Sequence, residues 1–286
     1  MNEMIPLVTV ENVLNLYKSK LQGRESIESR SSWFPIFASP QLAGVVADLM
    51  CDGNLQGDPK WRFDFTSKNI SELERFRDVI FNLFGVKGKI RLCVTNKFGK
   101  TFNFGVNCKL LGRILYLTGV PPGCKVKKEF LVPKWIIEDE ECFRAFIKRV
   151  FDCEGCVSVE GNGSFIDLGM SKAENLIENG IRFFEQIKKA LKDFFEIETT
   201  NIFLLTYVNI RKDGIRTRVI KLRIKRLQSL INFWREIGFD NPVKQNKLKT
   251  ILAIRNGAIE GTVPHKVPYA QSGRAIEAFA VEAEDR

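Results

Sequence analysis

With 286 residues, 44% of them hydrophobic, the chain has material for one large domain or two medium ones. Lys and Arg number 44 against 34 Asp and Glu, a net charge of +10 that points to a polyanionic partner, nucleic acid before an acidic membrane surface. No apolar run approaches the ~20 residues of a membrane span, and the opening MNEMIPLVTVENV lacks a signal peptide's basic start and apolar stretch, so an intracellular, cytoplasmic protein with no membrane role is expected.

Seven scattered cysteines without a secretory signal read as reduced thiols. Cys153 and Cys156 form a CxxC, but no second ligand pair stands at a zinc-like spacing. The single histidine, His265, leaves no basis for a Ser-His-Asp triad or a histidine metal site. The ends, MNEM and VEAEDR, carry neither a splicing nucleophile nor His-Asn, so an intein is not expected.

In chain order, residues 1–35 are an N-terminal extension outside any repeat, and a first unit spans 36–118. It opens with the apolar stretch LAGVVADLMCDG (42–53). A strand-like WRFDFTSK (61–68) follows, with Trp61, Phe63 and Phe65 alternating with Arg62 and Asp64. A helix is predicted from Ser71 to Phe84, with Ser71 and Glu74 as a capping box and Gly85 as its stop. GKIRLCVT, a turn at Asn96–Lys100 and TFNFGVN form a hairpin, and Lys109–Leu117 a closing helix. Residues 119–135, rich in Pro, Gly and Lys, read as a linker.

The second unit, 136–256, repeats the order. FRAFIKRVFDCEG (143–155) is the apolar helix, and CVSVE and SFIDLGMSK are strands. Ser171 and Glu174 cap a helix running to Phe195. NIFLLTYVNI and RTRVIKLRIK pair as a hairpin, and Leu227–Ile237 closes the unit. The Asp-Gly and Glu-Gly dipeptides lie 102 positions apart, and the Ser-Lys pairs 67–68 and 171–172 lie 104 apart. The expected fold is therefore α/β (α+β): two pseudo-twofold αββαββα repeats, with helices on one face of a saddle-shaped antiparallel sheet. Residues 257–286 form a polar tail.

Asp52 and Glu154 each follow an apolar helix and precede a glycine, Gly53 or Gly155, which suits a left-handed cap. A carboxylate at a helix C-terminus opposes the helix dipole and is at home there only in solvent or beside a cation. Two such ends brought together make an oxygen cluster suited to a hard divalent ion. The small residues Ala43, Ala47 and Cys51 on the first helix, and Ala145 and Cys153 on the second, permit close helix packing. Lys87, Lys89 and Arg91, then Arg216 and Arg218, then Lys221, Arg223 and Lys225 each alternate with small or apolar residues. With Arg62 they predict a basic sheet face that contacts phosphates and base edges of double-stranded DNA.

AGVVADLMCDG and FIKRVFDCEG resemble the paired motifs of LAGLIDADG homing endonucleases, single-chain type. The literal LAG at 42–44 is a decoy: registered on the acid-glycine pairs, Ala47 and Arg149 fall at the family's first glycine, and Cys51 and Cys153 at the small residue before the acid. GVPPGCK…PKWI and IGFDNPVKQNKL (237–248) are also similar to segments of archaeal intron- and intein-encoded members. The resemblance implies that the two motif helices meet at the pseudo-twofold axis through Ala47, Cys51, Gly53, Arg149, Cys153 and Gly155. It implies Mg²⁺ (or Mn²⁺) held by Asp52 and Glu154 between two scissile phosphates, and Lys68 and Lys172 as lysines near the site. The implied activity is staggered double-strand cleavage of a long DNA site in intron homing, by a monomer with no obligate protein partner. The alternatives within the resemblance are a maturase acting on intron RNA and a non-cutting DNA-binding remnant. Arg149 stands where backbones should nearly touch, and Asp48 on the facing helix is its expected partner.

Overall fold

A computed structural model describes residues 5–93 and 100–255. Residues 96–99 of the turn predicted at Asn96–Lys100, the tail from 257 and His265 lie outside the described residues. None of the described helices is long and apolar enough to cross a membrane.

Two helices organise the molecule. Helix α3 (Pro40–Met50) starts where Ser39 accepts from the Leu42 amide, with Pro40 in its first turn. Helix α7 (Glu140–Glu154) starts at Asp139, whose carboxylate accepts from the Cys142 amide at 2.7 Å. Leu42–Ala43 and Val45–Met50 are all buried, because α3 packs along α7 on one side and on its own sheet on the other.

Each motif helix runs directly into a sheet. In the first, the strands are β1 (Gly53–Gln56), β2 (Arg62–Ser67), β3 (Lys89–Leu92) and β4 (Phe102–Val106), all antiparallel in the order β1-β2-β4-β3. Helix α4 (Ile70–Phe84) covers one face, its Phe76 packed against Phe63, Phe65 and Phe104. Helix α5 (Lys109–Leu117) closes the unit. In the second, β5 (Gly155–Ser158), β6 (Phe165–Ala173), β9 (Arg216–Ile224) and β7 (Phe203–Leu204) follow the same order, and β8 (Asn209–Ile210) also pairs with β9. Helices α8 (Ile177–Phe195) and α9 (Leu227–Glu236) are the counterparts of α4 and α5. Helix α10 (Pro242–Arg255) packs on α9 and β5. The duplicated mixture of helices and antiparallel sheet matches the expected fold class.

Several local expectations are corrected. Asn69, not Ser71, caps α4: its side chain accepts from the Ser71 amide at 3.1 Å. Ser171 lies inside β6, and α8 begins six residues later without a side-chain cap. Neither Gly53 nor Gly155 adopts a left-handed conformation; Gly155 has φ −77° as it enters β5. Their reason is space: a Cβ at Gly53 would meet Leu49 and the Asp64 carbonyl, and one at Gly155 would strike the Phe151 backbone. The strand predicted for 201–210 is broken into β7 and β8.

The N-terminal extension is built onto the first unit. Helices α1 (Val10–Leu14) and α2 (Lys20–Glu28) pack together, Val8 bridges to Ile36, and Val8 and Val13 are fully buried. The linker (119–135) is equally tied down. Gly123 donates to the Leu55 carbonyl, Phe130 to Asn179 and Val132 to Gln186, so it bonds to both units. A short α6 (Lys134–Ile137) leads from it into α7.

Candidate functional site

Helices α3 and α7 deliver Asp52 and Glu154 to adjoining places at the junctions with β1 and β5. Burial, and then the charge of Asp52, pushes the Glu154 carboxyl up to about 7. Asp52 as a residue stays exposed, but burial of its carboxyl group raises its pKa as well, against the pull of Lys125. Between the two acids lie Cys51 and Cys153, whose thiols hydrogen-bond each other, and that bond with burial holds Cys153 protonated. Ala47 is fully buried on the same face.

Each acid has a lysine beside it, and neither is Lys68 or Lys172. Lys125, from the linker, donates to the carbonyls of Leu49 (3.3 Å), Cys51 and Gly53 at the end of α3. Lys244, from the first turns of α10, donates to the carbonyls of Phe151 (3.1 Å) and Asp152 (2.5 Å) at the end of α7. A cation at each helix C-terminus answers the unfavourable dipole and satisfies carbonyls left unpaired there. Both ammonium groups lower the carboxyl pKa of Asp52 and of Glu154 against the effect of burial. Sequence spacing could not find this pair. The acids lie 102 positions apart but these lysines 119 apart, because the two units differ in the length of chain between motif and lysine.

Lys68 is exposed just past β2. Lys172 points the other way. Gly53 pairs with Phe65 and Gly155 with Leu168, so strand registry equates Lys68 with Ser171. The one-residue slip turns Lys172 to the helix side of its sheet. There it is fully buried, donates to the carbonyls of Lys125 (3.2 Å) and Lys128 (2.6 Å), and lies 3.7 Å from the Phe130 ring centroid. Its expected place beside the phosphates is corrected to a tether beneath the linker segment that carries Lys125.

At the helix interface, Arg149 stays buried and meets acids from three directions. Its Nε lies 2.9 Å from Asp48, one Nη 2.5 Å from Glu72, and the other 2.9 Å from Asp152 and 3.4 Å from Asp240. Burial opposes its charge, but Asp48 and Glu72 hold its pKa above the usual arginine value. Arg75 also reaches Asp48, at 2.7 Å. Asp152 accepts the amides of Asp240 and Asn241, which fixes the turn into α10 and so the root of Lys244.

The sheet faces turned away from the helices differ. In the first, Arg62, Lys89 and Arg91 are exposed and make no ion pair among the described residues; Lys87 is exposed in the turn before β3. In the second, Lys221 and Arg223 share one acid, Asp167, at 2.9 and 2.5 Å, while Lys225 is exposed beyond the strand. Arg216 and Arg218 do not join this face. They share strand parity with buried Ile220 and Leu222; Arg216 pairs with Glu174 at 2.7 Å and Arg218 donates to the Leu205 carbonyl. Sequence alternation placed them outward because the predicted run did not distinguish odd from even positions of one strand.

Among the described residues no cluster of three or more His, Cys, Asp or Glu side chains is arranged to hold a metal. Cys153 lies at the helix interface against the Cys51 thiol, Cys156 is exposed on β5, and among the described residues these thiols belong to no group of three or more metal ligands.

No family model matches the chain. Among curated proteins, it is 28% identical over 215 residues to the replication factor C small subunit of Methanocaldococcus jannaschii, covering 68% of this chain and 11% of that one. It is 32% identical over 162 residues to the tRNA-splicing ligase RtcB of Pyrococcus abyssi, covering 53% and 18%. The chain thus spans between a tenth and a fifth of the length of these relatives. Similar solved structures include full-length DUF199/WhiA from Thermatoga maritima, with 16% identity and TM-score 0.48 over 91% of this chain and 68% of that one. The homing endonuclease I-WcaI bound to its DNA recognition sequence gives 13% and 0.45 over 86% and 98%. The LAGLIDADG homing endonuclease I-GzeII in complex with its DNA target gives 13% and 0.42 over 78% and 93%.

Proposed function

We propose that the chain is a LAGLIDADG-type endonuclease that cuts both strands of a long duplex DNA site. The observation that carries this reading is the duplicated end of the helix pair, where Asp52 with Lys125 and Glu154 with Lys244 converge. The charge of Asp52 raises the proton affinity of Glu154, a strain that a shared cation would relieve, and oxygen donors suit Mg²⁺ or Mn²⁺. Asp52 and Glu154 are the residues that would hold such an ion. A divalent ion bound there would supply Lewis-acid polarisation of the phosphate and a water of lowered pKa.

The protein's own groups do the rest. Asp52 and Glu154 orient the attacking water, one for each strand. Lys125 and Lys244, already desolvated and fixed by backbone carbonyls, offer positive charge to the pentavalent phosphate without reorganisation. Arg62, Lys87, Lys89, Arg91, Lys221, Arg223 and Lys225 would contact the duplex on either side, and Lys68 stands at the edge of that surface.

The curated relatives support a mobile origin. The matched stretches cover 68% and 53% of this chain, so they overlap on it, yet they lie in long proteins with unrelated names. A segment shared by a replication factor and an RNA ligase serves neither role in particular, as expected of a homing element.

Selection of cleaved sequences from a randomised duplex library with Mg²⁺ tests the proposal. A single long site with staggered ends is expected, and Asp52→Asn or Glu154→Gln should lower double-strand cleavage by at least about a thousandfold while binding persists. Full cutting by either variant would overturn the assignment. Tight, selective duplex binding by the wild type without cutting would identify the non-cutting alternative.

A further inference from the structure

The exposed face of the first sheet has a hole in its middle. Strand registry places Lys89, Gly105, Asp64 and Asn54 in one row, and Arg91, Asn103 and Thr66 in the next. Gly105 contributes no side chain, which leaves a notch of about 200 Å³ lined by Arg62, Asp64, Lys89, Arg91, Asn103 and Asn107 as its polar walls. The Asn103 amide nitrogen donates to both Asp64 and Thr66, each at 3.1 Å. That orients the amide, with its oxygen 3.5 Å from where a Gly105 Cβ would stand. The notch therefore joins unpaired donors (Arg62, Lys89 and Arg91) to fixed acceptors, the Asp64 carboxylate and the Asn103 carbonyl.

The equivalent face of the second sheet is closed. Asp167 holds both Lys221 and Arg223, and the Arg223 guanidinium lies 4.2 Å from the Phe165 ring centroid and 5.1 Å from that of Phe203. Its charges are answered inside the protein before any ligand arrives.

Resting on the DNA-cutting reading above, we infer that the two halves of the DNA site are read unequally. The Gly105 notch selects a G·C pair in the first half-site, and Asp167 keeps the second half-site's cations on backbone duty. A G·C pair is the match because its major-groove edge offers two acceptors on guanine, O6 and N7, beside one donor on cytosine, N4. Arg and Lys address the acceptors, and Asp64 with Asn103 the donor. An A·T pair offers as many acceptors and donors, but its donor stands between its two acceptors, so the adjacent acceptor pair that the cations address is lost and a methyl group faces the charged wall. On the other side, phosphates can draw Lys221 and Arg223 off Asp167 at any sequence, which gives affinity without base choice.

The test is binding selection on a randomised duplex library, with no cleavage required, for the wild type and three variants. The wild type should show a G·C preference confined to one half of the site. Gly105→Ala fills the notch at a position with room for a Cβ, and Asp64→Asn alters its acceptor; each should reduce that preference roughly tenfold at that base pair and leave the other half unchanged. Asp167→Asn should raise affinity for all sequences and steepen the salt dependence, because two cations become free to displace counterions. An unchanged base profile in both Gly105→Ala and Asp64→Asn, or Asp167→Asn with unaltered affinity and salt slope, would overturn this inference while leaving DNA binding intact. Failure of the wild type to bind duplex DNA at all would overturn the functional reading itself, and this inference with it.

Discussion

Arg149 shows how a single residue can satisfy two opposing demands. It lies buried in the helix pair, where an unpaired charge would cost several kcal/mol. Asp48, on the facing helix, is the partner read from sequence, and the structure adds Glu72, Asp152, Asp240 and Arg75 to the same network. Sharing changes the expected energetics. Removing Asp48 leaves Arg149 with other acids, and removing Arg149 leaves Asp48 with Arg75. We expect Asp48→Ala and Arg149→Ala each to lose about 2–4 kcal/mol in chemical denaturation, and the double variant to lose less than the sum. Additive losses would show that the contact carries no coupling. The acids were legible at this scale because an ionisable residue before glycine at the end of an apolar run is a local feature. Lys125 and Lys244 were not, because only packing brings them to those carbonyls.

Among the elements, the linker was misjudged most by composition. Pro, Gly and Lys mark it as a connection, yet it is hydrogen-bonded to both units and carries one of the two site lysines. Lys172 underlies it as a buried amine bonded to two linker carbonyls. Burial lowers its pKa from 10.5 to about 8. The folded state therefore binds the proton more weakly than the unfolded chain, so stability attributable to this group rises as pH increases from about 8 to 10.5. Lys172→Met removes the titration and the two hydrogen bonds, which together contribute about 1–3 kcal/mol. The stability difference between wild type and Lys172→Met, measured by denaturant titration, should shift in favour of the wild type across that pH window. A difference independent of pH would mean that the folded protein leaves the Lys172 amine at its unfolded-state pKa. The hairpin strands show the complementary lesson: alternation located β9 and separates its even positions, Arg216 and Arg218, from its odd ones, Lys221 and Arg223, while registry against β6 shows which set faces the helices.

Across the whole molecule, the N-terminal extension is integral to the first unit. Arg113 of α5 lies between the Tyr17 ring, 3.8 Å from its centroid, and the Trp61 ring, 5.0 Å away, and so binds the extension to the strand that leads into the sheet. Tyr17→Ala should cost roughly 1–2 kcal/mol and expose residues 5–39 to protease before the rest of the chain unfolds. Limited proteolysis with fragment mass analysis would detect this, and a cleavage pattern identical to wild type would refute the docking role. The same scale holds the asymmetry between the two sheet faces. The repeats share topology, but one displays unpaired cations and the other ties two of its cations to one acid.

The sequence by itself determined the duplication, the two apolar helices, each ending in an acid before glycine, and the class of fold. Each of these rests on periodicity and local chemistry, which act over a few residues and leave their record in order along the chain. Tertiary structure alone decided which lysines stand beside the acids and which face Lys172 and Arg218 occupy. It also decided why Gly53 and Gly155 must be glycine. Those outcomes depend on registry between strands and on close approach between backbones distant in sequence, and a shift of one residue in a strand reverses the face without altering the pattern that predicts it.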